Sequence, residues 1–139
     1  MKEINLLEDV PKTNRKIEEG WRTEENKIIA RRYDKEFFDG ERVNGYGGYY
    51  YDGRWRKVVQ RLKELYKIDS ESAVLDIGCA KGFLLYDLQE MISGIKVAGI
   101  DISEYSINHA LDKFGIYTIK QKTGKQEDEL IQEELEQAR

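Results

Sequence analysis

Residues 73–82 read AVLDIGCAKG, and residues 95–103 read IKVAGIDIS. The run Ala73 to Ile77 is apolar apart from Asp76 and is bounded by polar neighbours. That pattern predicts a short strand buried on both faces. Gly78 to Gly82 then calls for a tight turn. Phe83, Leu84, Leu88, Met91 and Ile92 recur at helical steps, and Ser93-Gly94 stops that helix. Ile95 to Ile100 reads as a second strand ending at Asp101. Ser103 is a good N-cap for a helix with Ile107, Ala110, Leu111 and Phe114 on one face, stopped by Gly115. Ile116 to Ile119 is a third strand. Strand, glycine turn, helix, strand, helix, strand is a βαβαβ order, and right-handed crossovers make its sheet parallel.

Ligands of such sheets sit outside the carboxyl ends of the strands. The glycine turn and Asp101, 19 residues beyond Gly82, both fall on that edge. Small residues in the turn admit a ligand to the backbone and leave N–H groups at a helix N-terminus facing it. An acid placed like Asp101 can accept both hydroxyls of a ribose. A dinucleotide fingerprint requires G-x-G-x-x-G. Here the stretch is GCAKG, with Ala80 for the middle glycine and a spacing one residue short. No phosphate-binding G-x-x-x-x-G-K-[ST] is present. Asp76 would repel a diphosphate and suits a ligand carrying an ammonium or sulfonium group. A nucleotide-binding module of another kind, such as a dinucleotide-dependent oxidoreductase, stays open at this point.

Upstream, residues 1–30 are polar and charged, with a short helix expected before residue 30 and a helical turn from Tyr33 to Phe38. Residues 43–53, VNGYGGYYYDG, hold two turn dipeptides, Asn44-Gly45 and Asp52-Gly53, and read as a loop. Trp55, Val58, Val59, Leu62, Leu65 and Tyr66 form a helical stripe within 54–68, opposite a solvated basic face. Residues 126–139 read as a charged helix with a narrow stripe of Leu130, Ile131, Leu135 and Ala138. The organisation expected is an N-terminal extension over 1–53, an α/β domain over 54–120 and a charged helix over 121–139.

The chain has 139 residues, 40% hydrophobic and 36% charged, which suits one domain. No apolar run approaches the ~18–20 residues of a membrane span, and the start lacks the pattern of a secretory signal. One cysteine, Cys79, excludes an internal disulfide and makes a cytoplasmic setting the default. With His109 as the lone histidine, a Cys/His zinc site is excluded and no metal is expected. A net charge of −4 argues against general nucleic-acid binding. Cys79 reads as a small turn residue with an ordinary thiol pKa near ~8.5. His109 reads as a helix-surface residue rather than a catalytic one.

VLDIGCAKG at 74–82 followed by VAGIDIS at 97–103 resembles the class I S-adenosylmethionine-dependent methyltransferases. The resemblance runs from about Arg32 to Phe114, and YGGYYYDGRW at 46–55 is similar to a stretch preceding the fold in one bacterial subgroup. It implies a Rossmann-like three-layer α/β sandwich and S-adenosylmethionine as cofactor. Asp76 would lie near the methionine amino group. Gly78, Cys79, Ala80 and Gly82 would form the backbone wall. Asp101 would hold the ribose hydroxyls and Ile102 would pack on adenine. Tyr46, Tyr49 and Tyr50 would serve as a lid or meet the acceptor, a small molecule or sugar precursor. The family sheet has seven strands in the order 3-2-1-4-5-7-6, of which this sequence reads as the first three. The residue that meets the adenine amine would be Gln121 here. The expectation is therefore a partial fold, truncated after the third strand, with no residue identified as general base. Its first strand would form an edge to be covered in part by the helix over 126–139, or by a second copy or a partner chain. As a monomer it would bind the cofactor weakly or not at all. A non-catalytic remnant or regulatory subunit is the alternative.

Overall fold

The structure, a computed structural model, describes residues 4–8, 10, 20–111 and 116–118. Three parallel strands, β1 (Ala73–Ile77), β2 (Lys96–Asp101) and β3 (Ile116–Thr118), form one sheet in that order. Five helices accompany them: α1 (Glu24–Arg31), α2 (Lys35–Phe38), α3 (Trp55–Tyr66), α4 (Phe83–Met91) and α5 (Glu104–Asn108). The unit is α/β with a small parallel sheet, as in part of a Rossmann-like fold.

Register decides which side chains share a face. Val74 lies opposite Val97 and Asp76 opposite Gly99. With the two-residue period of a strand, Val74, Asp76, Val97, Gly99 and Asp101 point to one side. That side holds the core. Val59 of α3, Leu85 and Leu88 of α4, Cys79, Ile92 and Ile95 cluster there, with Val74 and Val97 packed against them. Both connections step in the same direction across the sheet, so right-handed crossovers place α4 and α5 on this same side.

The other side is open, which corrects the reading of β1 as buried on both faces. Leu75 is 57% exposed and Ile77 75% exposed, while Val74 and Asp76 are half-buried. The apolar run signals a strand meant to be covered twice, but among the described residues β1 is an edge with one covered face.

The helix after Ser103 is also shorter than its apolar stripe suggests. It ends at Asn108, with His109 as its C-cap rather than mid-helix. The His109 ring stacks on Tyr105 at 4.0 Å, and its Nδ1 lies 2.8 Å from the Tyr105 carbonyl oxygen. The Leu111 N–H donates to the Lys81 carbonyl at 3.1 Å, so the chain leaves the helix to bind the glycine turn. Leu111 is exposed rather than on a packed face. Phe114, Gly115, Ile119, Gln121 and the helix read over 126–139 lie outside the described residues.

The N-terminal segment is tied to this unit locally. Thr23 and Asn26 form a reciprocal cap at the start of α1. Asn26 Nδ2 then donates to Asn44 Oδ1 at 2.9 Å. The Tyr46 and Gly48 amides donate to the carbonyls of Phe37 and Phe38, laying the tyrosine loop along α2.

Candidate functional site

The turn at 78–82 leaves β1 by using left-handed backbone at alternate positions: Gly78 at φ +85°, Ala80 at +49° and Gly82 at +71°. Glycine takes such angles freely, and alanine takes them at a cost. The turn amides are largely spent within the protein. Gly78 and Cys79 donate to the Ile100 carbonyl at 2.7 and 3.2 Å, and Gly82 donates to the Cys79 carbonyl at 2.8 Å. Ala80 donates to Asp101 Oδ2 at 2.8 Å. This corrects the expectation of a row of amides facing a ligand. The parallel ladder continues past the end of β1, and Ile100 and Asp101 take what the turn offers.

Asp101 is thereby fixed. Its Oδ1 accepts the Ser103 N–H at 2.7 Å while Oδ2 accepts the Ala80 N–H. An ionised carboxylate has about four acceptor positions, so each oxygen keeps one for a further donor. Asp76 differs. Among the described residues no group donates a hydrogen bond to its half-buried carboxylate. Burial raises its pKa above the ordinary value, and the negative charge of Asp101 adds to that rise. Two carboxylates therefore share the carboxyl-end edge of the covered face, and one of them lacks a compensating donor.

Cys79 is buried, and its side chain belongs to the core rather than to the wall of a site. The expectation of an ordinary thiol is corrected: burial, then the charges of Asp76 and Asp101, push its pKa up to about 12. A thiol so hard to ionise is a packing group. Ile102, beside Asp101, is exposed.

The tyrosine loop lies against the start of α4. Tyr49 stacks on Phe83 at 4.8 Å between ring centroids and meets Tyr46 at 4.5 Å. Burial pushes the Tyr49 hydroxyl up to about 12, with Tyr46, Asp76 and Asp101 adding to the rise. Tyr49 is thus within the field of both candidate carboxylates. Tyr46 and Tyr50 are 42% and 73% exposed.

Sequence reasoning missed what holds this loop in place. Lys81 Nζ, on a side chain 9% exposed, contacts Asp39 Oδ1 and Oδ2 at 2.9 and 2.7 Å and donates to the Tyr49 carbonyl at 2.9 Å. Tyr105 donates its hydroxyl to Asp39 Oδ2 at 2.7 Å. The Tyr51 hydroxyl donates to buried Asp87 of α4 at 2.5 Å. The available signal was a lysine between Ala80 and Gly82, in a turn otherwise built of small residues.

A family model for a methyltransferase domain matches residues 68–137, which is half of the chain. The chain belongs to this methyltransferase domain family. No curated protein and no solved structure matches the chain. The match takes in β1, the glycine turn, α4, β2, α5 and β3, so Asp76, the turn with Lys81, Asp101 and Ile102 lie inside the methyltransferase domain, while Asp39 and the tyrosine loop precede it. Such domains generally use S-adenosylmethionine.

Asp76 gives a test of whether this edge is built for a ligand rather than for stability. A raised carboxyl pKa favours folding only while the group is protonated, and that contribution is lost as pH rises through the folded-state value. Ionisation of Asp76 therefore opposes folding. Asp76→Asn is expected to raise the melting temperature at neutral pH. The gain should vanish in acid below the ordinary carboxyl range, where both side chains are neutral. A lower melting temperature at neutral pH would show that Asp76 is a structural acceptor instead.

Proposed function

We propose that this chain is an S-adenosylmethionine-dependent methyltransferase-like protein acting on a small molecule or sugar precursor. The observation that carries the reading is the pairing of Asp76, a half-buried carboxylate with no donor among the described residues, with Asp101 on the same strand edge. A ligand with an ammonium and a sulfonium group supplies the missing positive charge. Asp101, oriented by the Ala80 and Ser103 amides, keeps two acceptor positions for the ribose hydroxyls. Gly78, Ala80 and Gly82, with the Cys79 backbone, form the wall, and Ile102 packs on adenine. Tyr49 closes the site from the loop side, and Tyr46 and Tyr50 present exposed rings to the acceptor. Methyl transfer is an in-line displacement at the methyl carbon, the acceptor's new bond forming as the bond to the cationic sulfur breaks and the neutral thioether leaves, so the protein's part is chiefly orientation.

The open face of β1 supports the further reading that the acceptor side is completed by elements packed on Leu75 and Ile77, giving the three-layer sandwich. Additional strand pairing with β1, from a second copy or a partner chain, fits its free edge. The same open face favours the alternative of a non-catalytic or regulatory subunit. A cytoplasmic location belongs to this proposal. Among the described residues no helix is long and apolar enough to cross a membrane.

Calorimetric titration with S-adenosylmethionine, S-adenosylhomocysteine and NAD at several chain concentrations tests the reading. Binding of the adenosyl ligands but not NAD is expected, weaker than micromolar in the dilute chain and tighter where the chain associates. NAD binding alone would replace it with a dinucleotide module. Methyl transfer to candidate acceptors separates the enzyme from the silent subunit.

A further inference from the structure

We infer that Asp39 and Lys81 are positioning residues that clamp Tyr49 to the glycine turn, so that filling the turn and ordering the tyrosine loop are one event. The inference rests on the cofactor reading above and deepens it. Its basis is that the two residues hold both backbone polar groups of Tyr49. Asp39 Oδ1 accepts the Tyr49 N–H at 3.1 Å, and Lys81 Nζ donates to the Tyr49 carbonyl at 2.9 Å. The pair itself closes at 2.7 Å. Lys81 sits inside the turn, between Ala80, whose amide holds Asp101, and Gly82, which opens α4. Asp39 follows α2 directly. A shift of the turn is therefore passed through one ammonium group to the Tyr49 backbone.

The surroundings make the clamp specific. Tyr105 of α5 adds its hydroxyl to Asp39, and Lys81 Nζ lies 5.9 Å from the centre of the Tyr105 ring. Charge-assisted bonds to a lysine this buried are stronger than neutral ones, and an unpaired partner would be costly. On the far side of Tyr50, the Tyr51 hydroxyl is tied to Asp87. Tyr50 is thus an exposed ring between two anchored neighbours. Neither anchor is hydrogen-bonded or ion-paired to Asp76 or Asp101, so the clamp reaches that edge through Tyr49.

The test reads the amide of Tyr49 by hydrogen exchange in the full chain, beside an amide of the α3 core such as Val59. S-adenosylmethionine affinity is measured on the same samples by chemical-shift titration. Lys81→Met is expected to speed Tyr49 exchange at least tenfold while Val59 stays protected, and to weaken cofactor affinity at least fivefold. Asp39→Asn, which keeps the shape and removes the charge, should do the same to a smaller degree. It also serves if Lys81→Met does not fold. In the wild type, the cofactor should slow Tyr49 exchange further, and in the variants that response should be lost. Faster Tyr49 exchange with unchanged affinity would overturn the coupling. Equal loss of protection at Val59 would reduce the pair to general stability. No binding by the wild type would overturn the cofactor reading, and the positioning role with it.

Discussion

Asp101→Ala is expected to weaken S-adenosylmethionine binding at least tenfold and to lower stability by about 2–6 kcal/mol. Two separate losses are involved. The carboxylate accepts the Ala80 amide within the turn and the Ser103 amide at the head of α5. Removing it strands both donors at a partly buried site, which costs about 1–3 kcal/mol for each group left unpaired. It also removes the two acceptor positions assigned to the ribose. Asp101→Asn divides these losses. Its amide oxygen can serve one backbone donor, but its NH2 then faces the other, so neither arrangement satisfies both. Chemical denaturation and cofactor titration, both below the variant's melting range, measure the two effects. Unchanged affinity in a folded Asp101→Ala chain would remove the ribose assignment. Unchanged stability would mean that the turn and α5 find their own partners.

The parts of the fold legible in the sequence were those set by local rules. The stripe from Trp55 to Tyr66, the glycine turn and the run Lys96 to Asp101 each carry a period or a stop signal that physics enforces at short range. Ser103 accepts the Ser106 amide as an N-cap should. What was not legible depends on partners distant in sequence. The stripe beyond Ile107 did not make a longer helix because the Leu111 amide found the Lys81 carbonyl, some thirty residues back. The apolar run of β1 reads as buried twice because it reports how a strand is meant to be covered, not what covers it. The Cys79 thiol reads as ordinary in the sequence because the burial that chiefly raises its pKa, and the two carboxylates that add to the rise, arise only when the strands pair and the helices pack. Lys81 and Asp39 lie 42 residues apart, and no spacing rule links them. Both carboxylates of the site could be found because each stands at the end of a predicted strand, where the parallel topology alone fixes the edge.

The core beneath the turn gives the second large effect. Gly99 lies in the middle strand, opposite Asp76, where a side chain would point into the packed face. A Cβ there would stand 2.7 Å from Cys79 Sγ, 2.9 Å from Cys79 Cβ and 2.6 Å from Leu85 Cδ1. The Leu85 methyl is the end of a flexible side chain, but Leu85 is itself fully buried and has little space to turn into. Cys79 Cβ is attached to a backbone held by the Ile100 carbonyl. Gly99→Ala is therefore expected to cost about 1–3 kcal/mol, as overpacking of a tight core does. For a chain of this size that is a fall of roughly 5–10 °C in melting temperature. The contact predicts a reversal of sign. Cys79→Ala in the wild type removes a buried sulfur and should lower the melting temperature. In the Gly99→Ala background it removes the 2.7 Å Sγ part of the clash, leaving the contacts of Leu85 Cδ1 and of the Cβ at position 79, and should raise it. Residues in contact give such non-additive pairs, whereas independent sites add. Equal losses from Cys79→Ala in both backgrounds would show that the strand and the turn do not meet at this point. The floor under the glycine turn would then have to be built from other residues.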